Sequence, residues 1–205
     1  MPTHPLWRPF GLVDLDHAAT VRVGPPPPRR VTVVPYDPAW PGAFDAVAGQ
    51  VRAALGDRVL ALTHIGSTSV PGLAAKPVID VDLTVADSGD EAAYVPDLEA
   101  AGFVLRFRDV EWEEHRVLST ESPVTNLHVI SPGDREAQRH IVFRDWLRGH
   151  PDDRDDYAKL KTALGNRGFS DSMDYNNQKA ALVYDIYEKA FAADPEHEHD
   201  PQPRA

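Results

Sequence analysis

One stretch, Val78-Ile-Asp-Val-Asp-Leu-Thr-Val85, alternates apolar and polar side chains with a period of two. That period specifies a β-strand with one buried face. Ile79, Val81, Leu83 and Val85 share one face; Asp80, Asp82 and Thr84 share the other. Two carboxylates on one strand face repel each other and resist desolvation unless a cation neutralises them. The expectation is a strand with its apolar side on a core and its acidic side on a site. Mg²⁺ suits such a site, because it takes one or two carboxylates and completes its shell with phosphates. Just upstream, Gly66-Ser-Thr-Ser69 supplies small residues, hydroxyls and backbone N–H groups of the kind that hold phosphate.

The two segments are spaced in a recognisable way. Twelve residues, 68–79, separate Gly66-Ser67 from Asp80-Val-Asp82. This resembles the signature of the DNA polymerase β-like nucleotidyltransferase superfamily: Gly-Ser, about a dozen residues, then Asp-hydrophobic-Asp. The longer text His64-Ile-Gly-Ser-Thr-Ser-Val-Pro-Gly-Leu-Ala-Ala-Lys-Pro-Val-Ile-Asp80 resembles the GrpB family, a bacterial branch of that superfamily. Tyr36-Asp-Pro-Ala-Trp40, Asn126-Leu-His-Val129, Val142 to Arg148 with His150-Pro151, Tyr157 to Lys161 and Tyr175 to Lys179 extend the likeness over about residues 31–192.

The resemblance implies an α/β (α+β) fold, a nucleotidyltransferase-like mixed sheet flanked by helices with a helical C-terminal segment. It implies Mg²⁺ or Mn²⁺ on Asp80 and Asp82, with a nucleoside triphosphate as substrate and an unidentified acceptor. Gly66, Ser67, Thr68 and Ser69 would line the phosphate site, helped by Lys76, Arg144 and Lys179. Arg144 and Arg148 lie four apart on one helix face, with Lys159 and Lys161 nearby in sequence; any of these could neutralise triphosphate charge, and surface pairing with Asp145, Asp152 or Asp155 fits Arg148 equally well.

Catalytic relatives take a third carboxylate from a later strand. The matching strand here carries His128. Two readings stand side by side: His128 as a nitrogen ligand or base, better suited to Mn²⁺ than to Mg²⁺, or a satisfied histidine at the rim of an inactive pocket. Glu113 and Glu114 are the other candidates for the third carboxylate. A catalytically degenerate nucleotide-binding module is therefore the alternative to an enzyme. A folding or assembly accessory is a third reading, because GrpB-like domains also occur fused to dephospho-coenzyme A kinases. A P-loop is excluded: five residues, not four, separate Gly66 from Gly72, and Leu73 stands where lysine is required.

The rest of the chain bounds these readings. The 205 residues and 42% apolar content suffice for one packed domain. A net charge of −11 disfavours broad binding to nucleic-acid backbones. No apolar run is long enough to span a membrane, no signal-peptide pattern opens the chain, and cysteine is absent. A cytoplasmic protein is expected. Helices are expected over 39–55, 91–101, 135–148, 152–167 and 171–193, with Asp152 and Asp171 as caps. Strands are expected over 31–34, 60–65, 78–85, 103–107, 114–119 and 126–130. Residues 1–30, with the polyproline run Pro25 to Pro28, read as an extension or linker. Residues 31–193 read as the domain, and residues 194–205 as a disordered acidic tail whose His197 and His199 are solvated.

Overall fold

The structure is a computed structural model that describes residues 1–24, 31–167, 169 and 172–204. Its centre is a five-stranded mixed sheet in the order β1-β2-β5-β4-β3. The strands are β1 (Ala61–Ile65), β2 (Ile79–Thr84), β3 (Val104–Asp109), β4 (His115–Glu121) and β5 (Val124–Ile130). β2 runs parallel to β5, and the other neighbours are antiparallel. The parallel pairing sets Asp80 opposite Asn126 and Asp82 opposite His128.

One face of the sheet carries the main core. Val81, Leu83, Leu118, Leu127 and Val129 are fully buried there. They pack with Val47, Val51 and Leu55 of α2 (Trp40–Leu55) and Leu98 of α3 (Val95–Ala100). The α2 residues recur at four-residue steps, so they form one stripe. Pro41 opens this helix, and Gly56, at φ +57°, closes it.

The acidic face of β2 meets the C-terminal helices α4 (Arg135–Gly149), α5 (Pro151–Gly165) and α6 (Ser172–Ala192). Leu147, Tyr157 and Ile186 from these helices join Val70 and Leu73 in a second cluster. Asp134 caps α4 by accepting from the Ala137 N–H at 2.8 Å.

Several expectations change in the folded chain. The helix expected over 91–101 divides into a 3-10 turn (Glu91–Ala93) and α3, because Pro96 lacks the N–H and constrains the residue before it. The strand expected over 31–34 reduces to one bridge between Val34 and Ala75, and Pro35 cannot continue the ladder. Asp152 sits inside the first turn of α5, and the N-cap is His150. The expected Asp171 cap and the Pro25–Pro28 run lie outside the described residues.

The N-terminal segment is built onto the domain. Asp14 caps a short helix, α1 (Leu15–Thr20), and Arg22 bridges to Phe107 on β3. Leu6 packs on Tyr187 and Phe191 of α6. The tail lies against the same surface: His199 pairs with Glu188 at 3.0 Å, and the Tyr184 hydroxyl donates to the Gln202 carbonyl at 3.2 Å. Composition alone does not reveal these partners. They sit on α6, 11 and 18 positions before their tail partners, and at His4, 190 positions before Asp194.

Candidate functional site

Asp80 lies directly against the Gly-Ser turn. Gly66 adopts φ +66° and ψ −170°, a conformation essentially reserved for glycine. A Cβ built there would stand 2.5 Å from Asp80 Oδ2. The missing side chain is what lets the carboxylate rest against the turn. The other oxygen, Oδ1, accepts from Asn126 Nδ2 at 2.8 Å. Asp80 is thus held by its parallel neighbour strand and by the turn preceding its own.

The turn itself, Ser67–Ser69, is a 3-10 element. Ser69 Oγ donates to the Gly66 carbonyl at 2.6 Å, and Thr68 Oγ1 donates to the Val78 carbonyl at 3.1 Å. Both hydroxyls therefore shape the loop. Ser67 remains at the cleft, hydrogen-bonded to the Tyr157 side chain. Two arginines of α4 brace the outside of the loop. Arg144 donates to the His64 carbonyl at 3.1 Å, and Arg148 donates to the Ser69 carbonyl at 2.7 Å. Both also pair with Asp145. In this arrangement Arg144 braces the start of the turn through its backbone.

Asp82 is only 3% exposed and meets His140 of α4, whose Nδ1 lies 3.0 Å from Oδ2. Burial draws the His140 pKa down, but the hydrogen bond and charge of Asp82 outweigh it and leave the value raised. A row of imidazoles continues from there. The His140 and His128 rings lie 5.6 Å apart. His128 Nδ1 pairs with His115 Nε2 at 2.9 Å, and His115 stacks on Trp112. Burial lowers the pKa of His128, and lowers that of His115 to about 2. These two rings are therefore neutral at physiological pH.

Glu113 and Glu114 fall in a turn before β4, where both have positive φ. Glu114 binds Arg116, while Glu113 binds Arg8 and the Arg135 N–H. The donor atoms of Asp80, Asp82 and His128 do not all come within 4.8 Å of one another. The trio that does, among the described residues, is His4, Asp194 and His197. There the Leu6 N–H donates to His4 Nδ1, so Nε2 carries the proton that bonds Asp194. That tautomer makes the trio a hydrogen-bonded clasp between the two ends of the chain.

Lys76 and Lys179 meet at the Tyr175 ring of α6. Lys179 lies 4.5 Å and Lys76 5.0 Å from the Tyr175 ring centroid. Burial lowers both pKa values to about 8; the charge of Asp80 counteracts it. Lys161 of α5 joins them over Tyr157. Sequence spacing assigned no site role to Asn126 or His140, whereas Lys161 was among the basic residues able to neutralise phosphate charge. Asn126 lay two positions from His128, a residue already singled out, and His140 carried no local signal.

The family model described as "GrpB protein" matches residues 30–189. The chain belongs to the GrpB family. A UPF0157 protein of Halalkalibacterium halodurans is 46% identical over 162 residues, covering 79% of this chain and 83% of that one. A UPF0157 protein of Streptomyces coelicolor is 36% identical over 171 residues, covering 83% and 90%. The crystal structure of the conserved protein GrpB from Enterococcus faecalis superposes with a TM-score of 0.68 at 30% identity, covering 78% of this chain and 96% of that one. A dephospho-CoA kinase of Mycolicibacterium paratuberculosis is 30% identical over 187 residues, but those residues make up only 46% of its length. The mixed sheet with flanking helices agrees with the GrpB neighbour. Among the described residues, no helix is long and apolar enough to cross a membrane.

Proposed function

We propose that the protein is a nucleotidyltransferase-like enzyme that moves a nucleoside monophosphate from a nucleoside triphosphate to an acceptor. The observation that carries this reading is the close approach of the Asp80 carboxylate to the Gly66 turn, which supports a phosphate and its metal ion being held side by side. Asp80 and Asp82 are the residues that would hold Mg²⁺ or Mn²⁺. The donor chemistry fits, because two carboxylates plus phosphate oxygens complete such a shell. The ion would supply charge stabilisation to phosphates in an in-line displacement.

The chain's own residues perform the remaining tasks. Gly66 and Ser67 are partly exposed and would meet the phosphate, and Arg144 and Arg148 brace the flanking carbonyls of His64 and Ser69. Lys76 and Lys179 bring positive charge from a second side. His140 orients Asp82, and Asn126 orients Asp80, so both carboxylates are preset before a ligand arrives.

A second reading has its own support. β5 offers Asn126 and His128 opposite Asp80 and Asp82, and no residue of that strand is acidic. This favours a nucleotide-binding module without catalysis. The decisive experiment replaces both Asp80 and Asp82 by Asn, which preserves shape and removes charge. Wild type and variant are incubated with labelled triphosphates, Mg²⁺ or Mn²⁺ and a broad acceptor extract. Transfer by wild type that disappears in the folded double variant supports the enzyme. Undiminished transfer in the variant refutes the mechanism. Metal-dependent triphosphate binding without transfer, read by thermal shift, selects the binding module.

A further inference from the structure

Three lysines from three separate parts of the chain converge beside the Gly66–Ser67 turn. Lys76 comes from the loop before β2, Lys161 from α5 and Lys179 from α6. Two tyrosine rings hold them together. Lys161 Nζ lies 4.7 Å from the Tyr157 centroid and Lys179 Nζ 5.8 Å from it. Lys179 and Lys76 flank Tyr175 at 4.5 and 5.0 Å. The Tyr157 hydroxyl also contacts Ser67, which joins this compartment to the turn.

Lys161 is the informative member. It is 2% exposed, and its Nζ has no hydrogen-bond partner among the described residues. A buried amine without an acceptor is costly and calls for an explanation. Cation–π contact with Tyr157 offsets only part of that cost. Asp80 is the carboxylate whose charge acts on all three lysines. Lys76 and Lys179 outweigh the one carboxylate in charge, while burial and these two neighbours lower the Lys161 pKa to about 6, so an anion beside it is what would hold its proton. Lys76 and Lys179 are half-buried, so the compartment opens past them while Lys161 lies deepest.

We propose that Lys76, Lys161 and Lys179 form a metal-independent site for a di- or triphosphate group, with Lys161 contacting the innermost phosphate. The proposal rests on the phosphate reading of the Gly66–Ser67 turn and adds a binding step that needs no divalent ion. The lysines recognise the phosphate chain itself, so inorganic polyphosphates are sufficient probes. Asp80 opposes this step by its charge, which makes the metal-free and metal-dependent modes separable.

The test is calorimetric titration of the full chain with inorganic pyrophosphate and tripolyphosphate in the presence of EDTA. Wild type is expected to bind both and to gain thermal stability. Lys161→Met should raise the melting temperature of the free protein, because an apolar side chain replaces an unpartnered amine. It should also weaken tripolyphosphate binding at least tenfold. Lys159→Met, on the same helix but exposed and paired with Asp156, should leave binding unchanged. Asp80→Asn should strengthen metal-free binding while weakening metal-dependent nucleotide binding. Absence of polyphosphate binding in EDTA, or wild-type affinity in Lys161→Met, overturns the proposal. Should Lys161→Met fail to fold, Lys179→Gln is titrated instead, and a loss below threefold overturns it equally. Polyphosphate binding without any nucleotidyl transfer removes the enzyme reading alone. Metal-dependent transfer without metal-free binding removes the lysine site alone.

Discussion

Gly66→Ala is the sharpest test of how the cleft is built. Two costs arise from the structure. The first is backbone strain, because alanine must adopt φ +66° and ψ −170°. Such conformations cost about 1–3 kcal/mol. The second is the collision of the new methyl with Asp80, whose Oδ2, Cβ and Cγ stand 2.5, 3.0 and 3.1 Å away. Overpacking of this kind costs about 1–3 kcal/mol. The sum centres on about 4 kcal/mol, a large share of the stability of a domain. For a chain of this size that corresponds to a fall of roughly 8–16 °C in melting temperature. A double-mutant cycle separates the two parts. In an Asp80→Gly background the collision disappears and the strain remains, so the two substitutions should couple by about 1–3 kcal/mol. The assay is urea unfolding of wild type, both single variants and the double variant. A cost below about 1 kcal/mol for Gly66→Ala, or additivity within about 0.5 kcal/mol, would refute the close approach of turn and carboxylate.

Two further outcomes follow from ion pairs outside the cleft. Glu91 receives hydrogen bonds from Arg108 and Arg116, which hold its pKa at about 2 against an ordinary 4.5. Its contribution is therefore complete above about pH 4.5 and disappears as pH falls through about 2. Glu91→Gln should cost about 1–2 kcal/mol at neutral pH, since Arg116 is buried but solvent reaches Glu91. Its acid-unfolding curve should be flatter across that window, and an unchanged curve contradicts the assignment. Removal of residues 194–205 takes Asp194 from His4 and His199 from Glu188, and strips the His199 ring from Phe191. The shortened chain should lose about 1–3 kcal/mol in denaturant unfolding. An unaltered midpoint means that the clasp contributes nothing.

Local sequence determined what depends on period and short spacing. The alternation over 78–85 placed Asp80 and Asp82 on one face, and the apolar residues of β2 went to the core. Gly66 was legible as a turn residue twelve positions before the strand. The long C-terminal helices were legible from Asp134 onward, although α5 starts at Pro151 rather than after an Asp152 cap. Periodicity is a property of neighbouring residues, so it survives without knowledge of the fold.

Tertiary structure decided which distant groups share a compartment. Lys76, Lys161 and Lys179 sit up to a hundred residues apart, and nothing near Lys161 distinguishes it from exposed Lys159, two positions earlier. Packing of α5 against α6 and the turn makes one lysine buried and leaves the other in solvent. The same holds for His140, which reaches Asp82 only because α4 crosses the acidic face of the sheet. Burial and charge pairing are set by what packs over a side chain. That information is distributed over the whole chain, and no local window contains it.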